Sequence, residues 1–237
     1  MLTIHIPAFM TGLKDITLYE HETTRFPNGE LGRRDFRYLV NYVSDLYVRC
    51  LHDYKPPKTS RVSICLSPDN KAQRTLKFGS IAIIDQYFPA EKYNELSEDT
   101  KARYVLNFIH NVMLYLSQVY EWDTAVFENA YQEVIARNLK FCFEYPFKAS
   151  PDHKKRAQLI IEKTQWITTV FARVELTDAI LKVKLYEHAN RWWYDSAYAV
   201  AKHGKWLDKN RFGIDANSAN FKVWYSLQDE KVFMEKS

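Results

Sequence analysis

Glycine is scarce. The chain has six in 237 residues, at positions 12, 29, 32, 79, 204 and 213. They form neither G-x-G-x-x-G nor G-x-x-x-x-G-K-S/T, so the standard backbone cradles for nucleotide phosphates are missing. Gly29-Glu30-Leu31-Gly32 reads as a turn. The seven histidines, at 5, 21, 52, 110, 153, 188 and 203, make no H-x-H or H-x-x-x-H pair to seat a metal from one strand or helix. No G-x-S-x-G elbow occurs, since Phe78-Gly79-Ser80 has no paired glycine. The reading therefore assigns no metal and no cofactor.

Cysteine is also sparse. Cys50, Cys65 and Cys142 cannot all pair within the chain and show no C-x-x-C spacing, so they read as buried, reduced thiols of a reducing compartment. The opening MLTIHIPAFM lacks a basic stretch followed by a long apolar run, and no segment approaches about 20 apolar residues. The expectation is a cytoplasmic protein without a membrane span. Charge of one sign is not in excess: 33 basic against 29 acidic residues leave +4, all of it after residue 150. Such a weak balance argues against nucleic acid as the partner and suits a protein partner, including an acidic one.

What the chain has in quantity is aromatic side chains, 15% of residues, with 16 Tyr and 14 Phe. They are enough for a core and for a surface on which one edge of a ring stays wet. Their placement is uneven. All eight prolines lie at or before Pro151 and five of the six tryptophans after residue 165. This supports a single α+β domain, 1–237, drawn as two lobes with a boundary near the polar turn at 148–155. Helices of the N-terminal half would pack with a largely antiparallel sheet in the C-terminal half.

Periodicity fills in the elements. LTIHI (2–6) and DITLYEHE read as strands, 35–54 as an amphipathic helix stopped by Pro56 and Pro57, and RVSICLS and SIAIIDQYF as β-type runs. Ser97 is a candidate cap for a long central helix, and a second helix runs from about Asp123 to Asn138. From Leu139 the period becomes two. AQLIIEK fits either state. Trp166–Leu176 with Ile180–Glu187 makes one hairpin, FKVWYSL with KVFME another, and Lys182 and Lys184 should face water.

The stretch EHANRWWYDSAYAVAKHGKW, 187–206, holds three tryptophans and two histidines. It reads as a helix over 191–203, capped by Asn190 and ended by Gly204 in a left-handed conformation, with its aromatic stripe serving as core. The following HGKWLDKNRFGIDANSAN lacks clear periodicity, and loops of that length are often functional. It offers Lys205, Trp206, Lys209, Arg211 and Phe212, a basic and aromatic mixture of the kind that anchors protein interfaces. Cys142, in a strand of alternating aromatics, reads as inert, and carboxylate pairs such as Glu128 with Glu133 or Glu187 with Asp195 are what helix surfaces supply freely.

Together these features predict a non-catalytic intracellular protein-binding protein, an inhibitor or immunity-type protein that masks a partner's active site, using Lys205, Trp206, Lys209, Arg211 and Phe212. The alternative is a hydrolase or nucleic-acid-processing enzyme with a non-motif site, in which His203 or His188 would work with a nearby carboxylate as acid and base. Oligomeric state is left open.

Overall fold

In a computed structural model of the chain, residues 12–190, 196–216 and 220–236 are described. The chain divides into two compact units, Met1–Lys140 and Phe141–Ser237. The division falls between Lys140 and Phe141, so the polar turn at 148–155 is an internal feature of the second unit. Ser150 closes that turn: its N–H donates to the Lys155 carbonyl (2.9 Å) and its hydroxyl accepts from the Lys155 N–H (3.1 Å). The turn folds residues 148–149 back onto 156–157.

The first unit is built from β1 (Asp15–Tyr19), α1 (Glu30–Arg49), β2 (Arg61–Ser67), β3 (Gln73–Phe78), β4 (Ile81–Tyr87), α2 (Ala90–Asn94), α3 (Glu98–Tyr120) and α4 (Thr124–Ala136). The strands form a mixed sheet in the order β1-β2-β4-β3, with β1, β2 and β4 parallel and β3 antiparallel to β4. Side chains alternate along each strand, so Ile16, Leu18, Val62, Ile64, Leu66, Ala82 and Ile84 share one face. All are buried, as are Phe36, Leu39, Val40, Val43, Leu46 and Tyr47 of α1. The N-terminal helices thus have a sheet of their own. The first expected strand, 2–6, lies outside the described residues.

Local chemistry sets the boundaries. α1 starts earlier than its apolar stripe, at Glu30, because Gly29 takes a positive φ of 58° that turns the chain into it. β3 carries no apolar alternation strong enough to announce it. Gly79, with φ 56°, and Ser80 form the two-residue turn that folds β3 back onto β4. Ser97 stands at the N-cap of α3, yet its hydroxyl meets Thr100 Oγ1 (3.1 Å) and no helix N–H. Asp123 does cap α4, its Oδ1 accepting from the Ala125 N–H at 3.1 Å.

The second unit is two antiparallel sheets. One runs β5-β7-β8-β9, from β5 (Phe141–Glu144), β7 (Arg156–Lys163), β8 (Ile167–Glu175) and β9 (Ile180–Ala189), with β6 (Lys148–Ala149) also on β7. The other runs β10-β11-β12-β13, from β10 (Gly204–Trp206), β11 (Arg211–Ala216), β12 (Phe221–Ser226) and β13 (Lys231–Lys236). The α+β class holds, and both expected hairpins form. AQLIIEK is the central strand β7, buried on both faces, which is why its pattern was ambiguous. Lys182 and Lys184 are exposed on β9.

Three expectations for this segment are overturned: the Asn190 cap, the left-handed Gly204 and the aperiodic loop. Of the helix expected over 191–203, residues 191–195 with Trp192, Trp193 and Tyr194 lie outside the described residues, and the described part holds α5 (Ala197–Ala201), preceded by Ser196. Asn190 is not its cap. The Asn190 side chain accepts from Thr168 Oγ1 (2.6 Å) and donates to the Thr164 and Gln165 carbonyls, tying the end of β9 to the β7–β8 turn. Gly204 does not take the left-handed conformation either. It is a strand residue pressed against Leu159, whose side chain occupies the space a Cβ would need. The aperiodic loop after it is the β10–β11 hairpin. Phe212, Ile214 and Ala216 do alternate with Arg211, Gly213 and Asp215, but the glycine and the polar residues disguised the period.

Candidate functional site

The hairpin separates the five residues that the sequence grouped. Directly paired residues of an antiparallel ladder point to the same side. Trp206, Phe212, Tyr225 and Val232 make one row across the last sheet, beside the row Gly204, Ile214, Val223 and Met234. This is the inner face, where Phe212, Ile214, Val223 and Tyr225 are buried. Phe212 is 2% exposed and packs on Trp206 at 5.3 Å between ring centroids. The Trp206 indole N–H donates to the Lys148 carbonyl (2.9 Å), and Lys148 Nζ donates to the Gly204 carbonyl (2.5 Å). Trp206 and Phe212 therefore hold the hairpin to β6 and to the core.

Lys205 and Arg211 stand on the opposite, outer face. One outer row reads Lys205, Gly213, Trp224, Phe233, and the next reads Asp215, Lys222, Glu235. A third holds Arg211, Ser226 and Lys231. Trp224 and Phe233 stack at 5.6 Å with 14° between their planes, and Lys222 Nζ lies 5.2 Å from the Trp224 ring. Gly213 opens the space beside Trp224: a Cβ on it would stand 2.5 Å from Trp224 Cα. Trp224 is 8% exposed while Phe233 is 39% exposed, so the stack shows its outer ring.

The charges around the stack are pre-arranged. Lys205 Nζ meets Asp215 Oδ2 at 2.8 Å and Lys222 Nζ meets Glu235 Oε2 at 3.7 Å. The hydrogen bond from Lys205 holds the Asp215 carboxyl below its ordinary range, helped by the positive charge of Lys222 and by His203. In the hairpin turn, Asp208 accepts from the Asn210 and Arg211 N–H groups (2.8 and 2.9 Å) and from Arg211 Nε (2.6 Å). Partial burial alone would raise the Asp208 carboxyl, but these bonds outweigh it and hold the group low. Lys209 is exposed in the same turn, its carbonyl accepting from Lys155 Nζ at 2.8 Å.

The two candidate acid-base histidines are apart in the ladder order. His203 precedes β10, its carbonyl 3.5 Å from the Asp215 N–H, so the nearby carboxylate expected for it is one already engaged by Lys205. His188 is opposite Thr168 on β9, in the other sheet, with Nδ1 3.0 Å from the Ala189 carbonyl. Its ring stacks on Tyr186, which meets Phe221 edge-on at 4.9 Å.

The first unit holds a polar network that the sequence did not announce. Tyr47, fully buried on α1, places its hydroxyl 3.0 Å from His110 Nδ1 on α3 and 3.2 Å from the Phe127 carbonyl on α4. His110 Nε2 lies 3.3 Å from Glu128 Oε2, and the imidazole stacks on Tyr131 at 4.2 Å. Burial lowers the His110 pKa, against a smaller raising effect of Glu128. Tyr47 and His110 are buried and link α1, α3 and α4, while the Glu128 carboxylate at the edge of the network is half exposed. Nearby, Cys50 is buried and its thiol is pushed up to about 12 by burial and by Glu133. Among the described residues no group of three or more His, Cys, Asp or Glu side chains is placed to hold a metal ion, and no helix is long and apolar enough to cross a membrane.

The sequence reading missed Trp224, Phe233, Asp215, Lys222 and Glu235. Their signal was present as Lys222/Trp224 and Phe233/Glu235, pairs two residues apart that share a strand face, but the pairing of β11 with β12 could not be read from a segment taken to be a loop. No family model matches the chain, and no significant similarity is found to a curated protein or to a solved structure.

Proposed function

We propose that this protein works by binding another protein through the outer face of the β10–β13 sheet, as an inhibitor or immunity-type protein that covers a partner's active site. The observation that supports it is the Trp224–Phe233 stack set between rows of charged side chains, with the outer ring exposed and the charges held in pairs. An aromatic centre inside a polar, charged rim is the common layout of a protein interface, and side chains ordered before binding lose less entropy on it. Lys205, Arg211 and Lys209 belong to the rim. Trp206 and Phe212 act beneath it, as the support that fixes the hairpin. Lys205, Lys222, Arg211 and Lys231 are set against Asp208, Asp215 and Glu235, a small positive excess that suits a partner surface bearing carboxylates.

The test is affinity capture from native extract with wild-type protein and with a Lys205→Glu, Arg211→Glu variant as parallel baits. The expected result is a protein retained at one-to-one stoichiometry by the wild type and lost from the variant, with both baits melting alike. Identical proteins on both baits, or none on either, would remove this face from consideration.

A further inference from the structure

The mixed sheet of the first unit has a second face. Opposite the buried rows, the outward side chains read Phe78, Ile81, Arg61, Asp15 in one row across β3, β4, β2 and β1. The next row reads Leu76, Ile83, Ser63, Thr17, and the third Arg74, Asp85, Cys65, Tyr19. Phe78 is 73% exposed, Leu76 56% and Tyr19 49%, while Ile81 and Ile83 are half-buried. Sheets in which parallel strands predominate are normally covered on both faces, because their crossover helices sit on both. Here the only crossover helix between paired parallel strands β1 and β2 is α1, among the described residues, and the buried rows take it.

The layout of this face is specific. Phe78, Ile81, Leu76 and Ile83 form an apolar two-by-two block on β3 and β4. The flanking charges cancel: Asp15 pairs with Arg61 at 3.2 Å, and Arg74 stands directly across from Asp85. A face of zero net charge repels neither itself nor a copy, and offers no excess charge by which to select a strongly charged partner. Four strands about 4.8 Å apart, of 5, 7, 6 and 7 residues, give a footprint on the order of 400 Å². Side chains standing on it bring the accessible area toward the ~800 Å² that each partner contributes to a standard interface.

We propose that a second copy of this chain docks on this face, giving a two-fold dimer in which the Phe78, Ile81, Leu76 and Ile83 block of each copy packs on that of the other. A two-fold contact uses the same patch on both subunits, so an apolar block with locally neutralised charges is complementary to itself. The two sheets stack face to face at about 10 Å, the ordinary spacing of a sheet sandwich. This surface is separate from the partner-binding face proposed for the second unit, and either can fail without the other.

The experiment is sedimentation equilibrium of the full chain between about 1 and 100 µM, a range that brackets the dissociation constants of modest dimers. The expected mass rises with concentration toward twice the 28.1 kDa of the chain. Phe78→Asp and Leu76→Asp change exposed side chains, so each should keep its circular dichroism spectrum while the dimer dissociation constant rises about 100-fold, the worth of one large apolar contact. A wild type that stays monomeric across the whole range overturns the proposal. So does a dimer that neither substitution weakens.

Discussion

Lys205 and Trp206 are neighbours in sequence and face opposite sides of the same sheet: Lys205 reaches Asp215 on the outer face, and Trp206 covers Phe212 on the inner one. A one-residue step in a strand is a change of environment, from solvent to core. The two residues should therefore fail in different ways. Trp206→Ala removes a ring contact and a hydrogen bond to β6, and is expected to lower stability by about 2–4 kcal/mol, read as a fall in the urea midpoint. Lys205→Ala and Arg211→Ala lie on the surface and should stay within about 0.5 kcal/mol of wild type. Equal midpoints for all three variants would mean that the inner packing of the hairpin is not as described.

Gly213 supplies a second test of the same face. It is buried opposite Trp224, and a Cβ there would collide with the backbone of Val223 and Trp224. Backbone cannot swing aside as a side-chain tip can, so Gly213→Ala should force β11 and β12 apart and cost about 1–3 kcal/mol. The near-ultraviolet circular dichroism of Trp224 should change with it. An alanine variant with wild-type stability and an unchanged spectrum would show that the close approach is not required.

How much of this was legible follows from where the information lies. The α+β class, α3, α4 and both C-terminal hairpins were readable because each follows from a period along a single segment. β3 was not, since QRTLKF gains its strand state from Gly79 and from pairing with β4, and its apolar residues Leu76 and Phe78 stay on the outside. Of the candidate site, composition singles out Lys205, Lys209 and Arg211, but Trp224 and Phe233 stand beside Lys205 and Arg211 only through the register of β11, β12 and β13. Register is a long-range property, and the glycine at 213 that permits it looked locally like loop chemistry.

His110 ties acidity to stability. Burial holds its pKa below the ordinary histidine value in the folded chain, so the folded state resists the proton that the unfolded chain accepts. Above the unfolded value near 6.5 both states are neutral at this position and the network contributes fully. As pH falls through that value the unfolded chain takes up the proton first and stability drops, until the folded pKa is passed. The groups facing the imidazole are Tyr47 from α1 and Glu128 and Tyr131 from α4, and Glu128 opposes the effect of burial without cancelling it. Urea midpoints measured at about pH 7.5 and 5.5 should therefore separate in the wild type and move closer in His110→Gln. An equal separation in both proteins would place the acid sensitivity elsewhere in the chain.

Cys50 should be silent in the native protein. The residue is 2% exposed at the end of α1 and its thiol is pushed up to about 12, so the thiolate that reacts with disulfide reagents is almost absent near neutral pH. Glu133, which raises that value, is itself held low by His52 Nε2 at 2.6 Å and by Arg137, although burial alone would raise it. It therefore stays ionised and keeps the proton on sulfur. Cys65 and Cys142 are only half-buried, although burial and Asp85 also raise the Cys65 thiol. An aromatic disulfide reagent at about pH 7.5 should thus titrate Cys65 and Cys142 slowly, and Cys50 only after denaturant unfolds the first unit. The check is peptide mapping of the labelled protein with and without urea. Labelling of Cys50 in the folded chain at the rate of the other two would show that the end of α1 opens, and would make the His52, Glu133 and Arg137 cluster a gate over a reactive thiol.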